Sequence, residues 1–122
     1  MILLAGCNLN TAEIPTENLI GVWVPYFMPP CWSPVSEYFP NGEKLVRLRQ
    51  CDESKSPVLY AYYKARWEIQ GDQITETIYK TNGLYSEKYE APHSQTWKIE
   101  TLEANKLVLT KEGETTTYVR PQ

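Results

Sequence analysis

The feature that most limits what this chain can fold into is a two-residue alternation of apolar and polar side chains from Leu19 to Arg120, interrupted by turn-forming dipeptides. Side chains on a β-strand point alternately to its two faces, so this alternation marks strands with one buried and one wet side. Asn41-Gly42, Gly71-Asp72, Asn82-Gly83 and Glu112-Gly113 each stand between two such runs. Dipeptides of this kind accept the positive φ angles of tight hairpin turns and so predict consecutive antiparallel hairpins. The expected strands are 19–27, 35–39, 43–51, 58–69, 73–80, 84–90, 95–102, 106–111 and 115–120. No segment carries the i, i+3, i+4, i+7 apolar spacing of a helix over three turns. An all-β meander of eight or nine short strands removes its exposed edges by closing into a barrel; a β-sandwich is the alternative. At 122 residues the chain supplies one domain with a real core.

The hairpins also sort side chains between the two faces. In the run from Leu59 to Ile69, one face carries Leu59, Ala61, Tyr63, Ala65, Trp67 and Ile69, and the other Tyr60, Tyr62, Lys64, Arg66 and Glu68. A two-residue turn at Gly71-Asp72 sets Ile69 opposite Ile74, Trp67 opposite Glu76 and Ala65 opposite Ile78. Glu76 is then a carboxylate on an apolar face. A three-residue turn at Thr81 to Gly83 places Lys88 opposite it, as a neutralising partner; a two-residue turn places Tyr89 there instead.

The first residues, Met1 to Cys7, end in Leu4-Ala5-Gly6-Cys7, which resembles the bacterial lipobox. There, small residues precede a cysteine whose thiol is diacylated before cleavage. The resemblance implies a lipid anchor on Cys7, with Asn8 rather than an inner-membrane-retaining Asp beside it, and so an outer-membrane protein facing the periplasm. Six uncharged residues precede Cys7, fewer than a full signal sequence has, which places the true start codon upstream or leaves a remnant. The alternative is a short apolar end packed on the domain. Residues 1–7 are thus read as signal remnant and lipobox, 8–18 as a tether, and 19–122 as the barrel domain.

Gly21-Val22-Trp23, preceded by Asn18-Leu19-Ile20, resembles the G-x-W motif that opens lipocalins, and the last strand ends in Tyr118-Val119-Arg120. Between them lie Tyr38-Phe39-Pro40-Asn41-Gly42, Trp67-Glu68-Ile69-Gln70-Gly71-Asp72-Gln73-Ile74 and Trp97-Lys98-Ile99, which leads to Lys106-Leu107-Val108-Leu109. Over residues 18 to 120 this order is similar to the small lipocalin-like domains of bacterial lipoproteins. The resemblance implies that Arg120 packs across Trp23 at the closed end of the barrel, a cation–π contact worth about 0.5–2 kcal/mol. The chain is shorter than full lipocalins and lacks the helix that follows their barrel, which argues against a large cavity.

Of three cysteines, Cys7 takes the lipid and Cys31 and Cys51 remain. A three-residue loop of Pro40, Asn41 and Gly42 pairs Phe39 with Glu43, and counting outward in that register puts Cys31 opposite Cys51. In an oxidising periplasm these form a disulfide worth roughly 3 kcal/mol, although Pro34 interrupts the strand on the way. The alternative is two unpaired buried cysteines.

Other chemistry is sparse. The net charge of −3 argues against a nucleic-acid partner. His93 is the one histidine and sits in a loop-like Ala91-Pro92-His93-Ser94. There is no nucleophile motif, no spaced metal-ligand set and no Gly-rich phosphate loop, so neither catalysis nor a cofactor or metal is expected. Two groups carry a binding reading. The inward set Tyr63, Trp67, Glu76, Lys88, Trp97 and Tyr118 suits a pocket for a small apolar or amphipathic ligand, with Trp67 and Tyr63 as walls and Glu76, joined by Lys88, as polar anchor. The same set read as a filled core leaves an envelope protein that docks an unidentified protein partner through Tyr26, Phe27, Met28, Pro29, Pro30, Trp32 and Pro34.

Overall fold

A computed structural model of the chain describes residues 14–27, 33–51 and 57–121, with backbone alone for 50, 51 and 57–60. A 3₁₀ turn, Thr16–Asn18, leads into eight strands: β1 (Gly21–Pro25), β2 (Pro34–Tyr38), β3 (Glu43–Cys51), β4 (Pro57–Gln70), β5 (Gln73–Asn82), β6 (His93–Leu102), β7 (Lys106–Lys111) and β8 (Glu114–Val119). Each pairs antiparallel with the next, and β1 also pairs with β8, so the sheet closes into a barrel in sequence order. Closure gives every strand a partner on each side, which a sandwich does not. The barrel, not the sandwich, is the fold.

The registers are set by the turns. Ile69 faces Ile74, Trp67 faces Glu76 and Ala65 faces Ile78, as the two-residue turn at Gly71-Asp72 predicts. At the first hairpin the Phe39 N–H donates to the Glu43 carbonyl and the Gly42 N–H, at φ +88°, donates back to the Phe39 carbonyl. That register runs on from Tyr38–Lys44 to Pro34–Leu48. Cys7, Met28, Pro29, Pro30, Cys31 and Trp32 lie outside the described residues, as does the Cys51 side chain, so the lipobox and the Cys31–Cys51 pairing do too.

One expected strand is not a strand. Within the predicted 84–90 strand, Leu84–Lys88 forms a single helical turn, α1, and the barrel has eight strands rather than nine. A lone turn is costly to nucleate, so packing must hold it. Helical spacing puts Tyr85 and Tyr89 on one face, stacked at 14°, where both meet Tyr63 edge-on with centroids 5.0 and 5.8 Å away. The turn caps the upper end of the barrel. Neither Lys88 nor Tyr89 faces Glu76; its neighbour on β6 is Gln95.

The lower end is a dry plug. Leu19, Trp23, Tyr38, Ile74, Ile99, Leu107 and Leu109 form one buried cluster, with Ile14, Trp67 and Leu102 packed against it. Each large side chain so buried stabilises by about 1.5–3 kcal/mol. Arg120 locks the end shut: its guanidinium lies 3.7 Å from the Trp23 ring centroid and donates to the Asn18, Ile20, Val22 and Ala104 carbonyls. A Cβ on Gly21 would come within 3.0 Å of Arg120, and its φ of +113° also favours glycine. Asn18 and Ile14, expected in the tether, therefore lie against the barrel base.

Candidate functional site

The middle of the barrel holds charge. Alternation on β3 points Lys44, Val46 and Leu48 inward, and on β5 it does the same for Ile74, Glu76 and Ile78. Ala65, directly across from Lys44, leaves space beside the long side chain. Lys44 and Glu76 are 6% and 1% exposed, and the Lys44 ammonium donates to the Glu76 carboxylate at 2.6 Å. The Tyr63 hydroxyl donates to both carboxylate oxygens, at 2.9 and 3.2 Å, and the Gln95 amide donates to Oε2. Lys111 in turn donates to the Gln95 carbonyl at 2.7 Å. A buried charge is tolerated only when its bonding capacity is met in this way.

Two ammoniums lie near one ring. Lys44 Nζ is 5.3 Å and Lys111 Nζ 5.4 Å from the Trp97 centroid, and Lys44 is also 4.8 Å from that of Tyr38. Burial is the largest influence on Lys44 and opposes its charge, but Glu76, with Tyr38 and Tyr63, outweighs it and holds the ammonium well above the usual lysine value. Burial also holds the Tyr63 phenol well above its usual value; the Lys44 charge opposes this and Glu76 reinforces it. Both groups keep their protons far beyond neutral pH. The result is a fixed set of donors around one carboxylate.

Above this cluster lies a cavity of about 220 Å³. Trp23, Tyr38, Leu107 and Leu109 of the base cluster line it together with Lys44, Gln95 and Trp97, and Val46, Tyr63, Tyr85, Tyr89, Ser36 and Tyr118 complete its sides. The wall is low on one side: β6 pairs with β7 only from Lys98 onward, so His93 to Trp97 are paired with β5 alone. A cleft lined by Trp97, Lys111, Glu112, Glu114 and Thr116 lies where the β7–β8 hairpin stops short.

The expected inward set is only partly reunited. Tyr63, Trp97 and Tyr118 line the cavity, and Lys88 stands exposed at its rim with Nζ 5.4 Å from the Tyr89 ring. Trp67 is not a cavity wall: it sits low, edge-on to Tyr38, and its indole N–H donates to the Glu43 carbonyl. Glu76 does not face the cavity either, because Lys44, Tyr63 and Gln95 enclose it. It positions the polar groups that do. Sequence patterning does not single out Lys44, Gln95 or Lys111. A signal for Lys44 is nonetheless present: the face with Glu43, Leu45, Arg47 and Arg49 carries three charges, whereas Lys44, Val46 and Leu48 carry one. Of the docking group, Tyr26 and Phe27 are 58% and 88% exposed and pack edge-on at 4.4 Å.

No family model and no curated protein matches the chain. Among solved structures, a lipocalin-like protein of Bacteroides uniformis is similar, with a TM-score of 0.60 and 16% identity over 84% of this chain and 98% of its own. An uncharacterized protein of Bacteroides eggerthii gives a TM-score of 0.58 and 18% identity over 84% of this chain and 99% of its own. Identities this low speak for the fold alone. An eight-stranded meander closed upon itself, sealed at one end and hollow above, has the lipocalin-like fold.

Proposed function

We propose that this protein is a non-catalytic binder that holds a small apolar or amphipathic molecule in the upper barrel. The observation that carries this reading is the cavity itself, aromatic on its sides and floored by oriented polar groups above a dry base. A mostly apolar pocket with a few fixed polar groups is the usual form of a small-molecule site. At about 220 Å³ it is below the roughly 300–1,000 Å³ of pockets for drug-sized ligands, so its occupant is small. In the same reading Cys7 carries a lipid that anchors the domain to the outer membrane, facing the periplasm, and Cys31 and Cys51 are bonded.

Native mass spectrometry of protein purified from the periplasm tests the binding. The expected result is extra mass that leaves on denaturation, and a polypeptide lighter by two hydrogens if the disulfide is formed. A bare chain under conditions that retain weak complexes counts against a ligand site. Incorporation of a labelled fatty acid, abolished by Cys7→Ala, tests the anchor.

A second reading has its own support. The exposed Tyr26–Phe27 pair is an apolar projection at the upper rim, suited to docking a protein partner. Loss of a co-purifying protein on Phe27→Ala, with the cavity's passenger unaffected, would favour it.

A further inference from the structure

We infer that the ligand of the upper cavity is an anion, a small aromatic or short-chain carboxylic acid whose carboxylate settles by Trp97, where Lys44 of the cavity and Lys111 of the adjoining cleft both approach the ring; this rests on the binding reading above.

The first support is an imbalance of charge. Lys44 is matched by Glu76, but Lys111 bonds to a neutral amide, and among the described residues it has no ion pair. Both ammoniums lie within 5.4 Å of the Trp97 centroid, and Lys88 stands at the cavity rim. The opposing carboxylates are Glu76, enclosed by its own donors, and Glu112 and Glu114, which line the outer cleft with Lys111. Lys44 and Lys88 thus line the aromatic chamber, and Lys111 lines the adjoining cleft, which shares Trp97 with it. An acid bound there supplies the counter-charge that Lys111 lacks.

The second support is the way the donors are held. The Gln95 amide donates to Glu76 while its carbonyl takes the Lys111 ammonium, so Glu76, Gln95 and Lys111 form one chain of bonds. That chain fixes Lys111 beside the Trp97 ring instead of leaving it to swing into water. Preorganised donors of this kind lower the entropy cost of binding. The ligand's apolar part then meets Tyr63, Tyr85 and Tyr89, an edge-packed aromatic wall suited to a flat ring. A cavity of about 220 Å³ suits a ring or a short chain.

The test is saturation-transfer NMR on the intact protein with benzoate, phenylacetate and hexanoate, each beside its amide. A charge-assisted bond is worth about 1.5–3 kcal/mol, so acids should bind about tenfold or more tighter than amides. Lys111→Met should remove about that factor for the acids and cost the amides clearly less. Lys44→Met alone strands the buried Glu76, so the second variant is the paired Lys44→Met/Glu76→Gln, which keeps the interior neutral and should also weaken acids selectively. Acids and amides binding alike, or both variants keeping full acid affinity, would overturn the anion while leaving the pocket. If neither class binds and the native mass spectrum is bare, the binding reading falls, and the inference with it.

Discussion

The two ends of this barrel are built from the same alternating strands and do opposite things. At the base the inward residues are apolar or stacked, and Arg120 spends its charge on backbone carbonyls and the Trp23 face. Immediately above it the strands turn Lys44, Glu76 and Gln95 inward beneath a space that side chains do not fill, Lys44 paired with Tyr38 of the base and Glu76 two residues beyond Ile74. The difference teaches where stability and function are separated: the base closes the fold, and the upper half holds costly polar groups that the base makes tolerable. Buried ion pairs contribute little net stability compared with apolar packing. Their presence in a barrel this small is better explained by what they face.

The contrast can be broken at either end. The largest effect belongs to the base: Trp23→Ala removes a fully buried indole and the platform for Arg120, and should cost about 3–5 kcal/mol in urea denaturation. A loss under about 1 kcal/mol would mean the base is not the keystone. In the upper half, Lys44→Met leaves Glu76 buried without its cation, and should approach that cost; adding Glu76→Gln should recover most of it. Recovery separates a removable pair from an apolar core, because no second change of this kind rescues Trp23→Ala.

Alkali acts more gently. Tyr85 is held up to about 12, chiefly by burial and then by Tyr89, against an unfolded value near 10. Below pH 10 its contribution is intact. Between pH 10 and 12 the folded chain keeps a proton that the unfolded chain has lost, so stability falls as pH rises. Tyr85 alone should account for about 1–2 kcal/mol across that window, less than the full linkage value because solvent at the barrel mouth screens part of the shift. Raised values at Tyr63 and Lys44 act in the same direction. The check is denaturation at stepped pH with tyrosinate absorbance recorded in parallel; buried tyrosines that ionise near pH 10 in the folded protein would contradict it. The smallest effect is at the rim, where Phe27→Ala should change stability by less than about 0.5 kcal/mol, since its ring is 88% exposed.

The fold is legible because its turns are written into the sequence. Pro40-Asn41-Gly42 and Gly71-Asp72 each dictate a loop length, and a loop length dictates every pairing along its hairpin, so Trp67–Glu76 and the inward position of Glu76 can be read. Asn82-Gly83 misleads. It ends a strand, but the segment after it is a helical turn held by Tyr85 and Tyr89 against Tyr63, a contact between segments far apart in sequence. Five residues carry no periodicity long enough to separate helix from strand. The partner of Glu76 escapes the sequence for a related reason: hairpin register points to the next strand, whereas the cation comes from β3, on the far side of β4. Side chains that meet through the lumen leave no trace in local register.

The most direct measurement is an NMR titration of the protein with isotope-labelled tryptophan indoles, using phenylacetate as ligand. The account predicts a large, saturable shift of the Trp97 indole, which lines the cavity beside both ammoniums, and little change at Trp67, which lies below it bonded to Glu43. An unmoved Trp97, or a response led by Trp67, would contradict the placement of the ligand site in the upper barrel.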